Sequence, residues 1–384
     1  MPETRVTRRL GYALNVFPGH TLAELWPCLE TDVLQLKQRA FSREVFPIEL
    51  RFSEPLVREL RADPREVARL KSFLDTHGLA LITANAFVMP RFHGERVKER
   101  VYLPAWHESD ARAQFTDAAL ELLAQLAPRD TAFISASVPF GALKPASMAA
   151  IAPPILECGR QAARLSRRAG IRCVVALEPE PGLTVETTAE AVEFFERFVP
   201  VELWEHLAVN FDLAHQLVEF EDLGESLARL RAAGVGVAKV HVSNAAELTA
   251  LRPFYADSIY LHQVCGVDVA GERVFFSLDW PEAPPPTRAV RFRVHYHLPV
   301  CPVPVGEPGG PGTTLAEVER FLTEVLPHPS ATPPLDPATP LIIETYTWPE
   351  HRRGRQRLVE NLVGELDWVR QKISLVPNGG TAIV

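Results

Sequence analysis

The sequence lacks any Cys-x-x-Cys pair. Its five cysteines, Cys28, Cys158, Cys173, Cys265 and Cys301, are scattered and odd in number. This excludes a disulfide framework and a cysteine zinc site, and it fits a reducing cytoplasm. Cys158 and Cys173 sit in apolar sequence and read as small core residues. No apolar run is long enough to span a bilayer, so membrane insertion is not expected. The paired Arg8 and Arg9 do not make an export signal. The apolar run behind them is short, carries Asn15, breaks at Pro18-Gly19 and has no small-residue cleavage site. No Gly-x-Gly-x-x-Gly or P-loop follows an early strand, which weighs against nucleotide binding. Positive charge is also short: the net charge of −8 disfavours nucleic acid as a partner.

What is present is a globular composition, 47% hydrophobic and 23% charged over 384 residues, enough for a large core. β-rich runs fall at 10–16, 46–53, 79–88, 131–139, 171–178, 207–213, 235–243, 290–298 and 340–347. Amphipathic stretches lie between them at 21–39, 55–76, 109–127, 146–169, 187–198, 219–233, 314–326 and 354–373. Such alternation predicts βα units and a parallel sheet, and about eight units favour a (β/α)8 TIM barrel over a doubly wound sheet. The expected organisation is one barrel domain over 1–373, with a lid loop at 89–108, an insertion at 244–289 on the catalytic rim, and a frayed tail at 374–384. Segment 327–339 reads as a proline-rich connection. Nine strand candidates compete for eight places, so either 235–243 or 290–298 is the seventh barrel strand.

Four of these runs end on metal-ligand side chains: LEPEP at Glu178, NFDLAH at Asp212 and His215, KVHVSN at His241, and LIIETYTW at Glu344. A parallel barrel brings its strand ends to one rim, where two carboxylates and one or two imidazoles make a divalent-metal shell. A buried carboxylate such as Glu178 needs a compensating partner, and a salt bridge or helix cap would serve a single Glu as well as a metal. Asp212 and His215 either both bind metal, or Asp212 binds while His215 touches substrate. A capping Asp beside a surface His gives the same spacing. In KVHVS, period two puts Lys239, His241 and Ser243 on one face, and His295 and His297 alternate likewise in RFRVHYHLPV. His241 and His297 are therefore rival imidazole ligands. Glu344 is a second carboxylate ligand or the general base, and Thr345, Tyr346 and Trp348 supply pocket walls. In the lid, Lys98 and Arg96 suit a phosphate or carboxylate, and Tyr102 and Trp106 suit a sugar-like ring, although a solvated charged loop would look similar.

Taken together, these residues resemble the xylose isomerase-like TIM-barrel superfamily of sugar isomerases, sugar epimerases and type IV apurinic endonucleases. There, successive strands end in Glu, Asp and His and the last ends in Glu, as at Glu178, Asp212, His241 and Glu344. The segments HGERVKERVYLPAW, LEPEP, HVSNA with YLHQV, VHYHLP and IETYTW are similar to the EboE group of metabolite traffic proteins from bacterial ebo gene clusters. The resemblance implies a divalent metal (Mn, Mg, Zn or Co) and a metal-dependent isomerase or epimerase of a sugar-like polyhydroxy carbonyl or phosphorylated metabolite. It implies a place in secondary-metabolite biosynthesis or traffic. In that reading Glu178 or Glu344 moves the proton and His215 polarises a substrate oxygen. His93, Lys98, Tyr102, Trp106, Lys239, His295 and Trp348 contact the small-molecule metabolite. A homo-oligomer and products of the same gene cluster are further partners to consider. Two other readings stay open. A cluster of His93, His215 and His297 could hold two or three zinc ions for phosphoester hydrolysis, or the barrel could bind and hand on a metabolite without catalysis.

Overall fold

The computed structural model describes residues 10–93, 96–251, 259–302, 312–326, 335–336, 338–348 and 355–374. Eight strands form a closed, all-parallel barrel: β1 (Leu10–Ala13), β2 (Phe46–Arg51), β3 (Leu79–Asn85), β4 (Phe133–Pro139), β5 (Arg172–Glu178), β6 (Leu207–Asp212), β7 (Val237–Val242) and the last, at Leu341–Ile343. Around it lie α1 (Leu22–Cys28), α2 (Leu34–Ala40), α3 (Glu54–Ala62), α4 (Pro64–His77), α5 (Ala111–Leu126), α6 (Met148–Ala169), α7 (Thr188–Phe198), α8 (Leu213–Val218), α9 (Leu223–Ala232), α10 (Leu315–Arg320) and α11 (Arg355–Ser374). Local chemistry sets many of these boundaries. The Ser53 and Ser147 side chains cap α3 and α6, Pro64 opens α4, a Thr187–Glu190 capping box starts α7, and Gly78 and Gly170 close α4 and α6 at positive φ. Gly11 is required for another reason: a Cβ there would lie 2.4 Å from the Pro47 carbonyl of the adjacent strand.

The ninth strand candidate belongs to a second sheet. β8 (Ala246–Leu248), β9 (Val264–Val267), β10 (Arg273–Ser277), β11 (Arg291–Val294) and β12 (Gly312–Thr313) form an antiparallel sheet in the order β10-β9-β11-β8-β12. The Leu341–Ile343 strand is then β13. It pairs with β7 and β1, closing the barrel without 290–298. The inserted sheet thus runs to Thr313, past the expected limit of 289, because β11 pairs with β8 and β9 and not with a barrel strand. Its apolar face has its own core of Leu248, Val264, Phe292, Val294 and Leu298. All five cysteines are free and buried. No described helix is long and apolar enough to cross a membrane. Most of 327–339 and all of the tail from 375 lie outside the described residues.

The lid is tied to both the barrel and the inserted sheet. Its one 3-10 turn, Lys98–Tyr102, receives the Ile259 carbonyl on the Val97 and Lys98 amides, both at 3.0 Å, and Lys98 adopts a φ of 42°. Beneath it the buried Arg112 guanidinium donates to the carbonyls of Phe87 at 2.5 Å, Pro104 at 3.2 Å and Leu103 at 3.4 Å. Arg112→Leu removes those donors and leaves buried carbonyls unpaired. The expected result is a loss of about 2–3 kcal/mol in urea unfolding and faster limited proteolysis within 98–104.

Candidate metal centre

The quartet converges. One ligand atom from each of Glu178, Asp212, His241 and Glu344 lies within 4.8 Å of the others, and all four residues are buried. Glu178 and Asp212 are the last residues of β5 and β6, His241 lies in β7, and Glu344 directly follows β13. His241 is the hub: its Nδ1 is 2.8 Å from Glu344 Oε2 and 3.4 Å from both Glu178 Oε1 and Asp212 Oδ2. Its Nε2 lies 3.1 Å from Glu49 Oε1. As a carboxylate only accepts, Nε2 carries a proton, and Nδ1 carries one too while it faces Glu344; an ion bound among the acids would take the place of that second proton. Asn15 Nδ2 donates to Glu344 Oε1 at 2.6 Å. Asp212 Oδ1 accepts from the Ser243 hydroxyl at 2.7 Å and from the His215 amide at 3.0 Å, so the strand-end acid is also the N-cap of α8. Its other oxygen, Oδ2, has no hydrogen-bond partner, and neither has Glu178 Oε2.

The acids of this cluster gather round positive charge. Burial works against a charged imidazole, yet Glu344 and Glu49 hold His241 well above its usual range. Glu49 is opposed by burial, but Lys239 and His241 draw it down to about 2. Three clustered carboxylates, one imidazole nitrogen and two unpartnered buried oxygens fit a divalent ion of the Mg, Mn, Co or Zn kind. Glu49 supplies the carboxylate–histidine support such ligands usually have.

Three imidazoles adjoin the quartet. His215 Nε2 is 3.1 Å from His295 Nε2, which is 2.9 Å from His297 Nε2. His295 and His297 continue the line of β11, and the His295 amide donates to the Gln263 carbonyl at 2.8 Å. The two rivals therefore part company: β7 carries His241 into the acids, and the inserted sheet carries His297 into the imidazoles. Burial and the flanking His215 and His297 push the His295 pKa well down, whereas Asp212, Glu180 and Glu178 outweigh burial and raise that of His215.

A pocket opens over both clusters. Glu178, Glu344 and the three histidines line it, with Tyr102 and Tyr346, and with Phe92 on the lid side. Several residues expected at substrate stand elsewhere. Lys98 is drawn out of the wall by Asp279, 2.5 Å away on the inserted segment. Trp106 is buried and its indole donates to the Pro139 carbonyl at 2.9 Å. Trp348 packs beside Glu365, its indole donor 3.0 Å from Oε2, and Lys239 pairs with Glu49 inside the barrel. His93 bonds the Asn15 carbonyl and the Tyr260 hydroxyl, so His295, not His93, completes the imidazole group. Arg96 is exposed.

Sequence reading passed over four residues. Arg51, buried at the end of β2, lines the cavity with Nη1 unpartnered. Glu180 lines it with Oε2 unpartnered, accepts from Tyr102 at 2.8 Å and from Gln263 at 2.9 Å, and is raised by burial to about 7. Glu49 and Gln263 act behind the histidines. Glu180 stood two residues from Glu178 as a visible signal, while Glu49 and Arg51 looked like ordinary members of a buried strand.

No family model matches this sequence, and no curated protein does. Solved structures do. A xylose isomerase-like TIM-barrel protein from Mycobacterium smegmatis in complex with magnesium superposes with a TM-score of 0.51 at 13% identity, over 96% of this chain and 98% of that one. The IOLI protein with a bound zinc atom gives 0.50 at 12% identity, over 95% and 98%. L-ribulose 3-epimerase gives 0.41 at 17% identity, over 61% and 69%. The first two bear on the fold alone: their descriptions and TM-scores agree with the closed parallel TIM barrel seen here.

Proposed function

We propose, from this xylose isomerase-like barrel and its acid–imidazole floor, that the protein is a divalent-metal-dependent isomerase or epimerase of a polyhydroxy carbonyl compound. The observation that carries it is the convergence of Glu178, Asp212, His241 and Glu344, with two of their oxygens buried and unpartnered at the foot of a pocket. An ion held by these four would supply Lewis acidity to adjacent substrate oxygens. Magnesium and zinc in the two neighbours fit this mixed ligand set, which does not select sharply among such ions. Glu178 faces the cavity and takes the proton from the carbon beside the carbonyl, and Glu344 or Glu180 returns it. His215 polarises a substrate oxygen. Tyr102 and Tyr346 flank the ring or chain. Arg51 holds an anionic end, the role first given to Lys98, so the reading extends to phosphorylated or carboxylated sugars. The EboE-like segments further support a cytoplasmic role in making or handing on a secondary metabolite, with products of the same gene cluster as partners.

Elemental analysis of purified protein beside Asp212→Ala tests the metal. About one equivalent lost on substitution supports it, and no metal in either protein sinks it. Incubating a panel of sugars and sugar phosphates in D2O tests the reaction. Solvent deuterium at the carbon beside the carbonyl is expected, whereas phosphate release without exchange would replace this reading with the hydrolase. Arg51→Met should raise KM for an anionic substrate by about 10–100-fold with kcat nearly unchanged, since a charge-assisted hydrogen bond contributes about 1.5–3 kcal/mol.

A further inference from the structure

The geometry points to two positioning residues on the inserted sheet: Arg273 and Arg293 grip the C-terminal end of α8 and so hold His215 in the wall of the pocket. α8 is six residues long, too short to persist by itself, so its placement comes from what holds its two ends. At the first end the Asp212 carboxylate accepts the His215 amide at 3.0 Å. At the other, the last carbonyls of a helix lack intrahelical donors and carry partial negative charge, which suits a cation. Arg293, on β11 and 6% exposed, donates from Nη1 to the Leu217 carbonyl at 2.9 Å. Arg273, on β10, donates from Nη1 to Glu219 Oε2 at 2.5 Å. Glu219 closes α8, its amide donating to the His215 carbonyl at 3.2 Å. The next residue, Phe220, has a φ of 61°, a conformation an aromatic residue keeps only where its surroundings fix it. Its ring lies 4.7 Å from the Arg293 guanidinium and 5.1 Å from that of Arg291.

The arginines are themselves fixed on several elements. Arg293 donates from Nε to Glu247 on β8 and from Nη2 to Glu317 on α10, both at 2.7 Å. Arg273 also reaches Glu186 Oε2 at 3.2 Å, on the connection from β5 to α7. The grip bears on His215 because one strand supplies both the arginine and the neighbouring ring. Period two puts Arg293 and His295 on one face of the chain running on from β11. On that face Arg293 meets the last turn of α8, and His295 Nε2 lies 3.1 Å from His215 Nε2. A slide of α8 against β11 would therefore move His215 relative to the sheet-borne wall of the pocket. Displacing a reacting group by about 1 Å can cost about 10²-fold in rate. The kinetic consequence rests on the proposed function, in which His215 polarises a substrate oxygen; the grip itself does not.

The test is a double-mutant cycle on full-length protein, with Arg293→Met, His215→Gln and the two combined, read in the D2O exchange assay and by amide hydrogen exchange. Arg293→Met should lower kcat by about 10–100-fold with KM nearly unchanged. Arg293→Lys keeps the charge but not the three-way fork, and should recover part of that loss. The combined variant should be no slower than His215→Gln alone, since an arginine that acts through His215 has nothing left to position. Losses that multiply would overturn the positioning role and leave Arg293 a general fastener of the sheet. In the amide arm, residues 213–220 should exchange about 10-fold faster or more in Arg293→Met while β2 to β5 keep their protection. Unchanged protection at 213–220 would overturn the grip whatever the kinetics. Where Arg293→Met does not fold, Arg273→Gln, at a more exposed position, replaces it in the same cycle with the same expected results. If wild type exchanges no deuterium into any sugar, the proposed function fails, and the amide arm still decides the grip.

Discussion

A Glu178→Gln, Glu344→Gln double variant is expected to lose turnover by about 10⁴-fold or more while remaining folded. Proton transfer by a positioned carboxylate contributes about 10²–10⁴-fold, and these two also hold the ion that polarises substrate. The structure separates this loss from simple misfolding. Glu178 Oε1 and Glu344 Oε2 crowd the same His241 nitrogen as Asp212, at 3.4, 2.8 and 3.4 Å. Without metal, His241 and His297 outweigh burial and hold the Glu344 carboxyl below its usual range, so neutralising it gives up that pairing and the stripped variant should be modestly less stable than wild type. With metal at a hundredfold excess over its Kd for the quartet, wild type should gain about 2.7 kcal/mol from that site and the double variant none from it. Thermal melts with and without metal, beside the turnover assay, check this. A variant that keeps either its turnover or its metal-dependent shift would remove the quartet from the mechanism.

Lys239→Met carries the second large effect, on stability. Lys239 and Glu49 form an ion pair inside the barrel, both essentially inaccessible, and Lys239 also approaches the Ala84 carbonyl at 3.4 Å. Removing one partner of a buried pair strands the other, at a cost of about 3–5 kcal/mol. Glu49→Gln with Lys239→Met removes both charges, keeps an acceptor for the His241 Nε2–H, and should return to within about 1–2 kcal/mol of wild type. Urea unfolding of the two singles and the double gives the coupling energy directly. Glu49→Gln alone should weaken metal binding by about 10–100-fold, because Glu49 orients the ligand His241 without touching the ion. Equal metal affinity in wild type and Glu49→Gln would reduce Glu49 to a charge partner for Lys239.

What the chain declares locally is the barrel and three of the four candidate ligands. Strand and helix signals alternate within a few residues of each other, and parallel closure sends every strand end to one rim. Glu178, Asp212 and Glu344 could therefore be named from the residues just before them. What it does not declare locally is pairing. Runs 235–243 and 290–298 both read as strands with alternating histidines, and only hydrogen bonding of β7 to β6 and β13, and of β11 to β8 and β9, assigns His241 to the acids and His297 to the imidazoles. The same holds for charge. Glu49 lies 190 residues from Lys239, and Lys98 lies 181 from the Asp279 that withdraws it from the cavity. Sequence determined which groups could serve a metal. The tertiary structure decided which face one another, because burial makes a charge seek a partner and long-range packing determines which partner it meets.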